Sequence, residues 1–194
     1  DIRFVYWLSP DHPLIHPKEV KDWDEYMAHC QVDPFNPNKF IQDKDRSFVE
    51  MPAAAPQLWH ILNPDIPHGQ VEHSTWHSEL LNNDRQIWVY TPHDYSTEDG
   101  PYPLLLLFDG DVFTSDVHAP TIFDNLIAAG RIPPMLVVML DSPNRQRELY
   151  CHEPFAEFIV SEMIPWVRQK YQVSTSPAQN TVAGVSAGGL AAAF

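Results

Sequence analysis

The chain has 194 residues and a formal net charge of −14, and 44% of its residues are hydrophobic. This content is enough to bury a core and excludes disorder of the whole chain, while the acidic surface argues against nucleic acid and anionic membranes as partners. The two cysteines, Cys30 and Cys151, form no Cys-x-x-Cys spacing, so we predict neither a disulfide framework nor a zinc site and expect a reducing compartment.

The first part of the chain is predicted to hold one strand, one helix and a proline-rich connection. Residues 2–7 are β-branched and aromatic and lack the basic and apolar regions of a signal peptide, so we expect a strand and a start inside a longer protein. Residues 17–30 carry apolar side chains at spacings near three and four, which predicts a short amphipathic helix. Prolines are dense between Pro10 and Pro67, which predicts mostly connecting chain there.

The remainder alternates short apolar runs with helical patterns, which predicts an α/β fold with a mostly parallel sheet and flanking helices. The apolar runs show no alternation with polar residues, so we expect strands that are covered by helices on both faces. Pro165 lies inside the longest helical pattern and predicts a kink or an earlier helix end. The predicted strands are 86–91, 104–108, 135–140 and 180–183, and the predicted helices are 121–129, 155–171 and 189–194.

Residues 184–188 match the pattern Gly-x-Ser-x-Gly of a nucleophile elbow. The pattern stands between a predicted strand and a predicted helix, which is the context in which it exposes a serine. A side chain at position 184 or 188 would collide with the neighbouring strand or helix, and the helix N-terminus favours developing negative charge. Ser186 is therefore a predicted nucleophile, and an ordinary glycine-rich connection is the alternative.

A serine hydrolase also needs a second backbone donor for the oxyanion, and the loop after the strand at 104–108 is in the right place. Asp109, Gly110 and Asp111 follow that strand. We predict that the N–H groups of Asp111 and Ala187 together face the oxyanion at about 3 Å. A plain Asp-Gly turn is an equally good interpretation of this segment from sequence.

Five segments together resemble the enterochelin (enterobactin) esterases, in the same order and over nearly all of the chain. Taken singly, only the segment around Ser186 is specific enough to indicate a family, but the set of five is specific. The resemblance implies that residues 1–50 are the end of an immunoglobulin-like β domain with its linker, and that residues 51–194 are the N-terminal half of an α/β-hydrolase domain. The segments are 33–37 (DPFNP), 50–52 (EMP), 107–111 (LFDGD), 145–149 (RQREL) and 184–190 (GVSAGGL).

The resemblance also implies a function: hydrolysis of the serine-lactone esters of ferric catecholate siderophores in the cytoplasm. The iron belongs to the substrate, and no cofactor is implied. The family often has a bulky residue after the nucleophile, whereas Ala187 is small, which changes the shape of the acyl pocket. In this fold the triad follows the order Ser, acid, His, so we expect the acid and the histidine beyond residue 194, because all ten histidines precede Ser186.

Two arginines are the predicted contacts for an anionic substrate. Arg145 and Arg147 follow the strand at 135–140 and therefore lie at the carboxyl end of the sheet, where open α/β folds bind ligands. An acidic protein that holds a trianion needs local positive charge there. Ion pairs with Glu148 or Asp141 that hold the loop are equally plausible from sequence.

Two groups of acidic or histidine residues could bind a metal, and a simpler explanation is favoured for each. Asp109, Asp111 and Asp141 could form a carboxylate cluster, but strand-end aspartates are frequent and a role in the loops is favoured. His68, His73 and His77, with Glu72 as a base, suggest zinc. If residues 71–81 are extended, His73 and His77 stand about 13 Å apart at ~3.3 Å per residue, so solvated histidines are favoured.

Two alternatives to a siderophore esterase stay open from sequence. One is another acyl-ester hydrolase or acyltransferase of the same fold, such as a feruloyl or acetyl carbohydrate esterase. The other is a carbohydrate-binding or interaction module, suggested by Trp59, Trp76 and Trp88, for which core packing is the favoured explanation.

Overall fold

The computed structural model describes residues 2–10, 16, 19–40 and 45–194, and the chain divides into two units, Asp1–Pro56 and Gln57–Phe194. In the first unit, two antiparallel pairings join three short strands in the order β1-β3-β2. The elements of this unit are β1 (Arg3–Tyr6), α1 (Trp23–Ala28), β2 (Lys39–Phe40) and β3 (Arg46–Glu50).

Helix α1 is shorter than the predicted helix over 17–30, of which residues 17 and 18 lie outside the described part of the chain. It begins after Asp22, whose carboxylate accepts hydrogen bonds from the backbone N–H groups of Asp24 and Glu25. Such an N-cap satisfies donors that have no partner inside the helix. The cap therefore sets the start of the helix, and the apolar periodicity extends beyond it.

The second unit is built on a five-stranded sheet in the order β4-β5-β7-β6-β8, with helices on both faces. The α/β class is confirmed, and the strands predicted at 104–108 and 180–183 have the predicted bounds. The strands are β4 (Gln70–Ser78), β5 (Asn83–Thr91), β6 (Leu104–Phe108), β7 (Leu136–Leu140) and β8 (Asn180–Ala183). The helices are α2 (Gly110–Ser115), α3 (Ala119–Ala128), α4 (Arg145–Glu148), α5 (Glu153–Phe158), α6 (Ile164–Lys170) and α7 (Ala187–Ala193).

The sheet is mixed, which corrects the expectation of a mostly parallel one. Strand β6 pairs in parallel with β7 and β8, whereas β5 pairs antiparallel with both β4 and β7. The connection between β4 and β5 is the short turn 79–82, which only antiparallel neighbours permit. The connections from β6 to β7 and from β7 to β8 run through helices and are long enough for parallel crossovers.

The core confirms that the central strands are covered on both faces. Every residue of β7 is buried, and its alternate side chains enter two different clusters. Leu136, Val138 and Leu140 pack with residues of α5, α6 and α7, while Val137 and Met139 pack with α3. The two layers of helices fix the sheet from both sides, so the carboxyl ends of β6, β7 and β8 form one stable edge.

Pro165 interrupts the long helix without ending it. A π-helical turn, Ile159–Met163, connects α5 to α6, and the N–H of Ile164 donates to the carbonyl of Ile159. Pro165 then lies in the first turn of α6, directly after this π-helical turn, and lacks the N–H that a continuous α-helix would use there. The helix therefore does not end early at Pro165, and its departure from regular α-helical geometry is the wider turn that precedes the proline.

A buried carboxylate on α3 fastens the start of β4. Asp124 accepts hydrogen bonds from the Tyr90 hydroxyl at 2.7 Å and the Gly69 N–H at 2.8 Å, and its other oxygen lies 3.2 Å from Nδ1 of His68. Burial, followed by the bond to Asp124, raises the pKa of Tyr90, so this hydroxyl keeps its proton and remains a donor.

We expect Tyr90→Phe to lower the free energy of unfolding by about 1.5–3 kcal/mol, because it removes a donor to a buried charge. Urea denaturation checks the value. Tyr150→Phe is the matched control: Tyr150 is 52% exposed, so a change within about 0.5 kcal/mol is expected. Equal effects of the two substitutions would contradict the role given to the Asp124 bond.

Candidate active site

The turn between β8 and α7 is as sharp as the sequence predicts. Strand β8 ends at Ala183 and α7 begins at Ala187. Ser186 has φ 58° and ψ −119°, a backbone conformation that residues other than glycine rarely adopt. Its side chain is exposed. The fold therefore holds a strained serine at the carboxyl edge of the sheet, which is the geometry of a nucleophile elbow.

Two glycines permit this turn. A Cβ atom on Gly184 would stand 2.4 Å from the carbonyl carbon of Gly188, closer than any real contact. A Cβ atom on Gly188 would stand 3.2 Å from a carboxylate oxygen of Asp109. The first glycine lets strand and helix meet, and the second lets the helix approach the neighbouring loop.

The loop after β6 lies beside the elbow because the two strands are parallel neighbours, with Leu107 opposite Ala183. Gly110 packs against β7, where its Cβ atom would come within 2.6 Å of the Leu140 backbone nitrogen. Asp111 stands in the first turn of α2 and Ala187 in the first turn of α7. N–H groups in a first helical turn lack partners inside the helix. The fold thus brings both predicted donor segments to one edge.

Arg145 makes neither of the ion pairs considered from sequence. Its Nε and Nη2 atoms donate to the two carboxylate oxygens of Asp109, at 2.7 and 3.0 Å. The bond to Asp109 raises the pKa of the Arg145 guanidinium above its usual value. Nη1 makes no hydrogen bond to any residue that the structure describes. The Nε and Nη2 edge of this guanidinium is therefore paired with Asp109, whereas Nη1 is left without a hydrogen-bond partner among the described residues.

Arg147 lies two residues after Arg145 on α4 and is exposed. Its Nε donates to Nε2 of His152 at 3.3 Å. This bond involves no carboxylate, so the arginine keeps its net charge. Of the two arginines, Arg147 presents the less compensated positive charge at the carboxyl edge.

The sequence reasoning missed a buried ion pair beneath this edge. Arg85 of β5 is fully buried, and its Nη2 donates to Glu148 of α4 at 3.1 Å and to Asn83 at 2.9 Å. Its guanidinium lies 4.3 Å from the ring centre of Phe158. The burial of Arg85 could have been predicted from its position in the strand, because it precedes Ile87 by two residues and therefore faces the same core.

The alternatives with metals gain no support from the geometry. Asp109 is occupied by Arg145, and no group of three potential ligands lies together within the described ranges. Burial raises the pKa of Asp141, which lowers the tendency of that carboxyl to carry the negative charge a cation needs. Residues 70–78 form a strand, and His73 and His77 bond separately to Gln86 and Asp84.

The three tryptophans do not share one surface. Trp76 packs with Phe158 and Trp166 on one face of the sheet. Trp88 packs on the other face and stacks on His73 with ring centres 4.8 Å apart. Trp59 is 39% exposed and stands outside both strands. Core packing explains two of the three, so they form no common platform for a glycan.

Within the described residues, no helix is both long and apolar enough to cross a membrane.

Comparison with known proteins supports an esterase. Residues 78–193 match the model of the Esterase family, described as "Putative esterase". The chain is 32% identical to the iron(III) enterobactin esterase of Yersinia enterocolitica, over 86% of this chain and 50% of the relative. It is 28% identical to an endo-1,4-beta-xylanase/feruloyl esterase of Xylanibacter ruminicola, over 81% of this chain and 24% of that protein.

A solved structure agrees with the sequence comparison. The enterobactin esterase of Shigella flexneri, determined in the presence of enterobactin, superposes with a TM-score of 0.74 at 28% identity. The match covers 88% of this chain and 45% of that one. The chain spans about half the length of the enterobactin esterases that it matches.

Proposed function

This chain belongs to the esterase family that includes the enterobactin esterases, and from that premise we propose that it supplies the nucleophile and the oxyanion-binding backbone of a serine esterase. The observation that carries the proposal is the strained, exposed Ser186 between a parallel strand and a helix. In an esterase this strained backbone conformation would be functional, because it holds the Ser186 hydroxyl above the edge of the sheet.

In the proposed reaction, Ser186 Oγ attacks the ester carbonyl carbon and the carbonyl oxygen becomes an oxyanion. The N–H groups of Ala187 and Asp111 donate to that oxyanion. A histidine C-terminal to Phe194, oriented by an acid, accepts the serine proton and passes it to the leaving alcohol. Water then attacks the acyl-enzyme, which releases the carboxylic acid and restores Ser186. The steps require no cofactor.

The proposed substrate is the serine-lactone backbone of a ferric catecholate siderophore, hydrolysed in the cytoplasm so that its iron is released. The proposal rests on relatives named as iron(III) enterobactin esterases and on positive charge at the carboxyl edge. Arg147 and the open Nη1 edge of Arg145 supply that charge in a chain whose net charge is −14. The two free cysteines are compatible with a reducing compartment.

Arg147→Ala in the full-length enzyme is expected to raise KM for the ferric catecholate about tenfold, because a charge-assisted contact worth about 1.5–3 kcal/mol is lost. KM for the neutral ester p-nitrophenyl acetate is expected to change little. Steady-state kinetics with both esters check this, and the effect should shrink as salt is added. Arg168→Ala, which removes an exposed charge from α6, is the matched control. A similar rise in KM in both variants would mean that the effect comes from the net charge of the protein and not from a contact of Arg147 with the substrate.

A feruloyl or acetyl carbohydrate esterase is the second candidate, favoured by the relative named as a xylanase/feruloyl esterase. Turnover of ferric enterobactin, compared with a feruloyl and an acetyl ester, decides between the two. Faster cleavage of the feruloyl ester would identify the protein as a carbohydrate esterase and not as a siderophore esterase. Retention on a glycan column, without labelling by a serine-directed phosphonate, would instead favour a binding module.

A further inference from the structure

Asp109 is the residue at which three separate segments of the second unit meet. It follows β6 and is only 9% exposed. One side of its carboxylate receives both nitrogens from Arg145, which arrives on α4 after β7. The other side lies against Gly188 in the first turn of α7, where even a Cβ atom would stand 3.2 Å from Oδ2. The carboxylate thus touches the loop that follows each of the other two parallel strands.

The backbone of Asp109 also determines where Asp111 lies. Asp109 has φ 58° and ψ 49°, in the left-handed region that residues other than glycine enter only when the surroundings hold them. Gly110 packs directly against β7, and Asp111 follows in the first turn of α2. No side-chain hydrogen bond caps that helix. The Asp109 carbonyl accepts a hydrogen bond from the Phe113 N–H of the same helix, and the ion pair with Arg145 is a polar contact that ties this left-handed residue to another segment.

The bidentate geometry suits a restraint better than a simple charge contact. Two parallel N–H···O bonds fix the orientation of a carboxylate, whereas a single contact fixes only its distance. The elbow is held by its own backbone through Gly184 and Gly188. The segment of the second donor is held by hydrogen bonds from the Thr114 and Ser115 hydroxyls to its own carbonyls, but these bonds lie within α2 and do not fix that helix against α4 or α7. A displacement of about 1 Å in a reacting group can cost about 10²-fold in rate.

We propose that Arg145 is a positioning residue: through its ion pair with Asp109 it holds the Asp111 N–H at the distance from Ser186 that an oxyanion requires. This inference rests on the proposed esterase function. It gives Arg145 a role that is independent of substrate charge, and it leaves Arg147 as the main contact for an anionic substrate.

The test uses Arg145→Ala and Asp109→Asn in the full-length enzyme, assayed with neutral p-nitrophenyl acetate. Each substitution is expected to lower kcat about tenfold to a hundredfold, with KM changed less than about twofold, because the oxyanion forms only after binding. The double variant is expected to be no slower than the slower single variant, because both changes break one interaction. Arg145→Lys is expected to recover part of kcat but not all, since an ammonium cannot donate bidentately.

A serine-directed trifluoromethyl ketone supplies a readout that loss of folding alone does not move. It forms a tetrahedral oxyanion on the nucleophile, so its inhibition constant should rise by about the same factor as kcat falls. Arg168→Ala, an exposed arginine on α6, is the control and should leave both values unchanged.

Three results would overturn the inference. Loss of turnover only with the ferric catecholate would make Arg145 a contact for substrate charge. A lower melting temperature with normal kcat would make the pair purely structural. Additive losses in the double variant would mean that the two residues act separately. Ser186→Ala separates the inference from its premise, because an active Ser186→Ala enzyme refutes Ser186 as the nucleophile, whereas an inactive one with normal Arg145→Ala turnover refutes only the positioning role.

Discussion

Replacement of Ser186 by alanine is expected to lower kcat for ester hydrolysis by about 10³-fold or more in the full-length enzyme, with substrate affinity unchanged. Only the Oγ atom is lost, and alanine at this position has the same Cβ atom and the same backbone strain as serine. The proposed donors at Ala187 and Asp111 are not altered, so the residual rate reports what the proposed oxyanion site contributes without a nucleophile.

Two measurements check this expectation. Steady-state kinetics give kcat, and equilibrium binding of the uncleaved substrate to the inactive variant gives the affinity. Ser161→Ala, which removes an exposed hydroxyl from the π-helical turn, is the matched control and should retain full activity. Turnover within tenfold of the unmodified enzyme would mean that Ser186 is not the nucleophile.

The second large effect is expected from Glu148, because its partner Arg85 is fully buried. Glu148→Ala leaves an arginine inside the core without its carboxylate, and breaking a buried pair in this way costs about 3–5 kcal/mol. The free energy of unfolding, measured by urea denaturation with tryptophan fluorescence, should fall by that amount. Helix α4 carries Arg145 and Arg147, so activity should fall as well.

A double variant distinguishes an unpaired charge from lost packing. Arg85→Met combined with Glu148→Leu keeps apolar volume and removes both charges, so much of the lost stability should return. Glu98→Ala, at an exposed loop position, is the control and should change stability by less than about 0.5 kcal/mol. If the double variant is no more stable than Glu148→Ala alone, the loss comes from packing around α4 and not from the buried charge.

Local patterns in the sequence were sufficient for the elements and for the elbow. The strand at 104–108 follows from an unbroken apolar run, since a buried strand excludes polar residues along its whole length. The turn around Ser186 follows from the glycine pattern, because the collision that Gly184 avoids is with the backbone of Gly188, only four residues along the chain. The resemblance to the enterobactin esterases rests on short segments of this kind, and the family is confirmed by the match over residues 78–193.

What the sequence by itself determined is therefore the class of fold, the family and the position of the strained serine. Strand pairing and the partners of the charged residues were decided only by the tertiary structure. Arg145 and Asp109 are 36 residues apart, and Arg85 and Glu148 are 63 apart. No periodicity connects such positions, because each contact exists only once the sheet has placed its strands side by side. The same cause makes the sheet mixed, since the direction of β5 depends on which neighbours it joins.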